Sequence, residues 1–161
     1  MQRTLILLLL TFIIFSCNKE SEVAEQMLAN KEGYERIASR FLNQDYIKWI
    51  SIAHEYDEYG CHTVNDWSNC PGTGTNGGTF EQGLRRNNIE INEYRLYHNF
   101  LLNQKLTNIK KAYGCDSCVE LEFKTFGLRY SNEPHELTED HEYLSVNKID
   151  DKWYSYTRDW N

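Results

Sequence analysis

Cys118-Val119-Glu120-Leu121-Glu122-Phe123-Lys124 and, after Thr125, Phe126-Gly127-Leu128-Arg129-Tyr130 decide the reading of this chain. Val119, Leu121 and Phe123 alternate with Glu120, Glu122 and Lys124, and Phe126, Leu128 and Tyr130 then alternate in the opposite phase. A period of two places apolar side chains on one face of a strand, and the phase switch near Thr125 predicts a bulge or bend. Further along, Tyr143 to Ile149 reads as another strand, Asp150-Asp151 as a turn, and Trp153, Tyr154 and Tyr156 as a closing strand.

Upstream the period lengthens. Tyr34, Ile37, Ala38 and Phe41 fall at i, i+3, i+4 and i+7, the stripe of a helix packed on one side. Residues 46–56 are ambiguous: Tyr46, Ile47, Ile50 and Ala53 suit a continued helix, which is the preferred reading, while Ile47, Trp49, Ile50 and Ile52 suit a strand. Asn87 with Glu90 has the spacing of a capping box, and Ile91, Tyr94, His98, Leu101, Leu102, Leu106 and Ile109 trace one helical face up to Gly114. The expected fold class is α+β, with an N-terminal helix and a long central helix packed on a C-terminal antiparallel sheet of about three to four strands.

The N-terminus has a separate purpose. Arg3 precedes an apolar run from Leu5 to Phe15, and Ser16 stands just before Cys17, the layout of a signal peptide. At ~1.5 Å per helical residue the run covers only about half of a ~30 Å hydrocarbon core. Ile14-Phe15-Ser16-Cys17 resembles the bacterial lipobox, which implies cleavage before Cys17, lipidation there, and a palmitate-bearing, membrane-held protein of the cell envelope. The expected division is a signal peptide at 1–16, a lipidated tether at 17–31, and a single α+β domain at 32–161. Asn18-Lys19-Glu20-Ser21-Glu22 resembles the Lys-and-acid signal that sends some Bacteroidetes lipoproteins to the outer face of the outer membrane; a solvated linker has the same composition. The expected place is the outer membrane, on its periplasmic face or at the cell surface.

The formal charge is −7, and loss of Arg3 with the signal peptide would make it −8. Nucleic acid is excluded as a partner on this ground, since phosphate binding needs clustered Lys and Arg. The longest basic groups are Arg85-Arg86 and Lys110-Lys111, read as solvated helix-surface charge.

With Cys17 lipidated, Cys61, Cys70, Cys115 and Cys118 remain, an even number that suggests two disulfides in an oxidising compartment. Three pairings are open, and the local one, Cys61 with Cys70 and Cys115 with Cys118, is preferred. A four-thiolate zinc site is the sharper alternative, disfavoured by unequal spacing and by the oxidation expected of the thiols. Cys115-Asp116-Ser117-Cys118 lacks the strand-then-helix context of a thiol redox pair. Gly72-Thr73-Gly74-Thr75-Asn76-Gly77 formally matches a dinucleotide loop but follows Cys70-Pro71 rather than an apolar strand, and the whole of Cys61 to Thr79 offers little apolar surface to bury, so a plain surface loop is expected there.

Glu133, His135, Glu136, Glu139, Asp140, His141 and Glu142 could hold a metal, yet a solvated loop between strands is the simpler reading. His98 lies on the apolar helix face and reads as a hydrogen-bonded core residue. No nucleophile with its base is visible, so no catalytic residue, metal or cofactor is assigned. The expectation is a non-catalytic binding protein, with a basic protein such as a competing bacterium's toxin as partner. A glycan-binding module using Trp67, Trp153 and Trp160 is an alternative, and an envelope enzyme with a site invisible in sequence is another. The segment from Tyr94 to the closing Lys152-Trp153-Tyr154-Ser155-Tyr156 loosely resembles small uncharacterised bacterial lipoproteins, and that last strand is also similar to nuclear-transport-factor-2-like folds; neither resemblance implies a function.

Overall fold

The computed structural model describes residues 21–52, 62–65, 67–68, 80–133, 135–139 and 142–158. Cys17, Cys61, Cys70, the glycine-rich stretch, Asp140, His141 and Trp160 lie outside them. The chain divides into two compact units, residues 1–35 and residues 36–161. In the first, residues 21–29 are helical and a turn at Asn30 leads into α1 (Lys31–Leu42), where the Gly33 and Tyr34 amides donate to the Asn30 carbonyl.

The second unit is built on one eight-stranded antiparallel sheet: β1 (Trp49–Ile52), β2 (His62–Val64), β3 (Trp67–Ser68), β4 (Asn108–Lys111), β5 (Cys118–Glu122), β6 (Gly127–Ser131), β7 (Tyr143–Lys148) and β8 (Trp153–Arg158). The spatial order is β3-β2-β1-β4-β5-β6-β8-β7. The α+β class therefore holds, but the sheet is twice the expected width. Its extra strands come from residues 49–52 and 108–111, both of which sequence periodicity assigned to helices, and from residues 62–64 and 67–68, which lie in a stretch expected to be a surface loop and instead extend the sheet edge-on from β1.

Two local devices explain the difference. Asn65, at a backbone φ of 52°, accepts from the Lys48 amide at 2.8 Å and the Trp49 amide at 3.3 Å, and donates to the Tyr46 carbonyl at 2.7 Å. With those groups engaged by a side chain 16 to 19 residues away, 46–49 cannot make helical bonds. Ile50 and Ile52 then alternate inward as a strand.

The central helix, α3 (Ile91–Gln104), ends ten residues before Gly114. Lys105 takes the left-handed conformation at φ 56°, its amide donating to Leu102, while the Leu106 amide reaches back to Leu101. This is the Schellman closure, and buried Leu106 is the apolar residue that follows it. A left-handed non-glycine residue costs roughly 1–2 kcal/mol, which the fully buried Leu106 offsets. Nor does Asn87 cap α3. The N-cap is Glu90, with no side-chain cap bond, and Asn87 Nδ2 donates to the Gly83 carbonyl at the end of a helix that periodicity missed, α2 (Phe80–Arg86). There Asn88 (φ 55°) and buried Ile89 repeat the same closure.

The bend expected near Thr125 is a full reversal: β5 and β6 form a hairpin, with the Phe123 amide donating to the Phe126 carbonyl at 2.9 Å. The turn between β7 and β8 is where Asp150 was expected to make it, its Oδ1 accepting from the Lys152 and Trp153 amides.

Register gives the sheet two unlike faces. On one, Ile50, Ile109, Leu121 and Leu128 run in a row across four strands, and Val119, Tyr130 and Trp153 make a second row. Helix α3 packs against β1 and β4 with Tyr94, Tyr97 and Leu101 buried, Phe41 meets Tyr97 edge-on at 5.1 Å, and the Ser39 hydroxyl lies 3.3 Å from that of Tyr130. Burying a side chain of this size contributes about 1.5–3 kcal/mol, so this face is the apolar core.

Candidate functional site

The opposite face carries charge where a core would be expected. One register row reads Lys110, Glu120, Arg129, Tyr154, and the next reads Asn108, Glu122, Gly127, Tyr156. Glu120 is 1% exposed, Glu122 2% and Arg129 4%. A carboxylate removed from water costs several kcal/mol unless it is paired and hydrogen-bonded. Here both are. Glu120 accepts from the Tyr143 hydroxyl at 2.6 Å and Arg158 Nη2 at 3.1 Å, with Lys110 Nζ at 3.5 Å and Arg129 Nη1 at 3.8 Å. Glu122 accepts from Lys110 Nζ at 2.6 Å, Arg158 Nη1 at 3.0 Å and Asn108 Nδ2.

Arg158 is the hub. Its guanidinium forks across both carboxylates, also donates to the Tyr143 hydroxyl at 2.9 Å, and reaches the half-exposed Glu142 at 3.1 Å. It lies over the Tyr143 ring at 4.9 Å and the Tyr156 ring at 5.4 Å, a cation–π arrangement. Burial opposes its charge, but Glu120, the two tyrosines and Glu122 outweigh that, so its pKa stands above the ordinary arginine value. Tyr143 is pushed well up by burial and then by its bond to Glu120. Tyr156 is pushed up by burial and by the fields of Glu120 and Glu122.

Gly127 makes room for this arrangement. A Cβ there would lie 2.3 Å from Cζ of Tyr156, so only a glycine on β6 lets the Tyr156 ring cross it. Among the described residues the buried Tyr156 hydroxyl has no hydrogen-bond partner, in contrast to the Tyr143 hydroxyl 13 residues earlier in the chain. Leu137, from the acidic stretch after β6, packs on this face with Tyr143, Tyr154 and Tyr156.

Several sequence expectations change here. Lys110 is not helix-surface charge; it is a β4 residue with both buried carboxylates as partners. Trp153, a candidate for glycan stacking, is fully buried and tilted against Tyr130 at 5.0 Å. The side chain of Trp67, like Trp160, is outside the described residues. His98 stacks on Tyr94 at 5.5 Å, half-buried. Of the acidic segment, Glu133, Glu136 and Glu139 are exposed, and Glu142 joins Arg158. Cys115 and Cys118 form the expected disulfide. His135 was singled out with the acidic residues, yet one of its ring nitrogens and the two sulfurs lie within 4.8 Å of one another.

Glu120, Glu122, Arg129, Tyr143 and Arg158 were missed as a group. Their one visible signal is the pair of carboxylates at alternate positions of a strand; nothing local shows that residue 158 answers them.

Concavities open on the second unit among the described residues. One, of about 610 Å³, is lined by His135, Glu136, Lys148, Asp151 and Tyr154, beside β7 at one end of the sheet. Two others, of about 410 and 200 Å³, share Asn88, Ile89 and Glu90 at the entry to α3. No helix among the described residues is long and apolar enough to cross a membrane. No known protein family, curated protein or solved structure matches the chain.

Proposed function

We propose that this chain is a lipid-anchored envelope protein that works by binding a basic protein partner rather than by chemistry. The observation that carries the reading is the internal pairing of the buried carboxylates: Glu120 and Glu122 are held by Lys110, Arg158 and Tyr143, with Arg129 beside Glu120. A general acid or base needs a proton-transfer partner in a substrate, and these groups already have theirs within the fold. The β7 end of the same sheet carries the 610 Å³ concavity and the 57%-exposed Leu144. A net charge of −7 favours a cationic partner and speeds its approach.

Membrane attachment is tested by fractionation and mass spectrometry: a diacylated peptide beginning at Cys17 is expected, and Cys17→Ala should release the protein from the membrane fraction. Binding is tested by placing a photo-crosslinking residue at Leu144 or Lys148 in cells and identifying the adduct. A discrete protein adduct whose association slows as salt rises supports the reading. Absence of an adduct from both positions, or loss of the cellular phenotype on Glu139→Gln in a folded protein, overturns it.

A further inference from the structure

We infer that Cys115, Cys118 and His135 form a site for one thiophilic d¹⁰ metal ion, of the Zn²⁺ class, when the disulfide is reduced. The three donor atoms lie within 4.8 Å of one another although His135 is 17 residues beyond Cys118. Backbone bonds bring them together. The turn between β4 and β5 is closed by the Ala112 amide to the Cys118 carbonyl at 3.0 Å and the Cys118 amide to the Cys115 carbonyl at 3.2 Å. Cys118 faces Ser131 across the β5–β6 pair. The chain leaving β6 is pinned to the same turn, the Asn132 amide donating to the Ser117 carbonyl at 3.0 Å and Ser131 Oγ to the Glu133 carbonyl at 2.6 Å. That path delivers His135 over the two sulfurs.

A disulfide needs no imidazole, whereas a zinc ion does well with two thiolates and one imidazole. Cys-x-x-Cys is the usual spacing of zinc-binding thiolates, and metal bonds of about 2.3 Å to sulfur and 2.0–2.1 Å to nitrogen draw ligand atoms to roughly 3.3–3.8 Å apart. Three protein ligands leave the fourth position for water, on the solvent side where His135 is half-exposed and borders the 610 Å³ concavity. Cys118 is fully buried and holds the inner end of the site.

The change of state balances as follows. A phosphine reductant takes up the oxygen of one water to become its oxide, and the disulfide gains two electrons and two protons as a dithiol. Each thiol then gives its proton to solvent as the metal binds, and the neutral imidazole supplies a ring-nitrogen lone pair.

The test titrates Zn²⁺ against a chromophoric chelator, using the full chain carrying Cys61→Ser and Cys70→Ser, reduced and freed of phosphine under argon. One equivalent is expected in the reduced protein and none in the oxidised protein. His135→Ala should weaken the reduced site at least tenfold, and Co²⁺ in place of Zn²⁺ should give thiolate charge-transfer and tetrahedral ligand-field bands. If the double variant does not fold, the difference between the reduced natural chain and its Cys115→Ser variant reads the same site. No stoichiometric binding by folded, reduced protein, equal binding by the oxidised form, or unchanged affinity in His135→Ala overturns the inference.

Discussion

Two clusters in this domain join arginine to glutamate and tyrosine, and they differ in solvent. On the sheet, Arg158 holds Glu120, Glu122 and Tyr143 where the carboxylates are at most 2% exposed. Between α1 and α3, Arg40 forks onto Glu93, which also accepts from Tyr97 at 2.8 Å and Gln44 at 3.1 Å, but the Arg40 side chain is 53% exposed. The bonds are alike in kind. What differs is the penalty for breaking them, because water can replace Arg40 and cannot replace Arg158.

The sharpest way to break the comparison is Arg158→Met. It leaves two buried carboxylates with Lys110 and Arg129 as the remaining cations among the described residues, and should destabilise by about 3–5 kcal/mol in urea unfolding. A loss no larger than that of Arg40→Met would show that the sheet cluster is hydrated. Next comes Gly127→Ala, whose Cβ would collide with the Tyr156 ring; a loss of about 1–3 kcal/mol is expected, and Tyr156→Leu in the same chain should recover part of it.

The two neighbouring tyrosines, 5.1 Å apart, should respond with opposite signs. Tyr143→Phe removes a donor to Glu120 and an acceptor for Arg158, and should cost about 1.5–3 kcal/mol. Tyr156→Phe removes a buried hydroxyl with no partner and should raise the melting temperature or leave it unchanged. Both tyrosines, with Tyr97, have pKa values raised above the ordinary 10 by burial first. Their folded forms stay neutral where unfolded tyrosine ionises. Their contribution to stability is therefore complete below pH 10 and falls as pH rises above it, read by tyrosinate absorbance together with circular dichroism.

The smallest effect belongs to the exposed cluster. Glu93→Gln should cost about 1 kcal/mol or less and should matter less as salt is raised, whereas the Arg158→Met loss should hardly change. The Arg40 bond lowers the Glu93 pKa below 4.5, ahead of the opposing effect of its burial. Its contribution is thus present above that value and lost as pH falls through the lower folded one. The gap between natural and Glu93→Gln proteins should close in acid.

Legibility followed the range of the interactions. Strands β5 to β8 were visible because period-two alternation and the Asp150 turn are local properties. The local Cys115–Cys118 pair was visible for the same reason. Leu106 and Ile109 misled because they continue a helical spacing by coincidence, while the real stop, Lys105, belongs to a residue type with no signature for a left-handed turn. Residues 49–52 form a strand because Asn65 takes up the backbone groups just before them, a contact that exists only once β2 is in place.

By itself, then, the sequence determined the α+β class, the acidic charge, the alternating strands of the C-terminal half and a local disulfide. Each is written in neighbours along the chain. Tertiary structure decided that Glu120 and Glu122, which alternate like solvent-facing residues, are buried, because the neutralising Arg158 stands 36 to 38 residues away and meets them only across β6 and β8. It also decided that His135 stands over Cys115 and Cys118 rather than among the acids beside it in sequence. Burial of charge is a property of partners, and these partners are chosen by strand order.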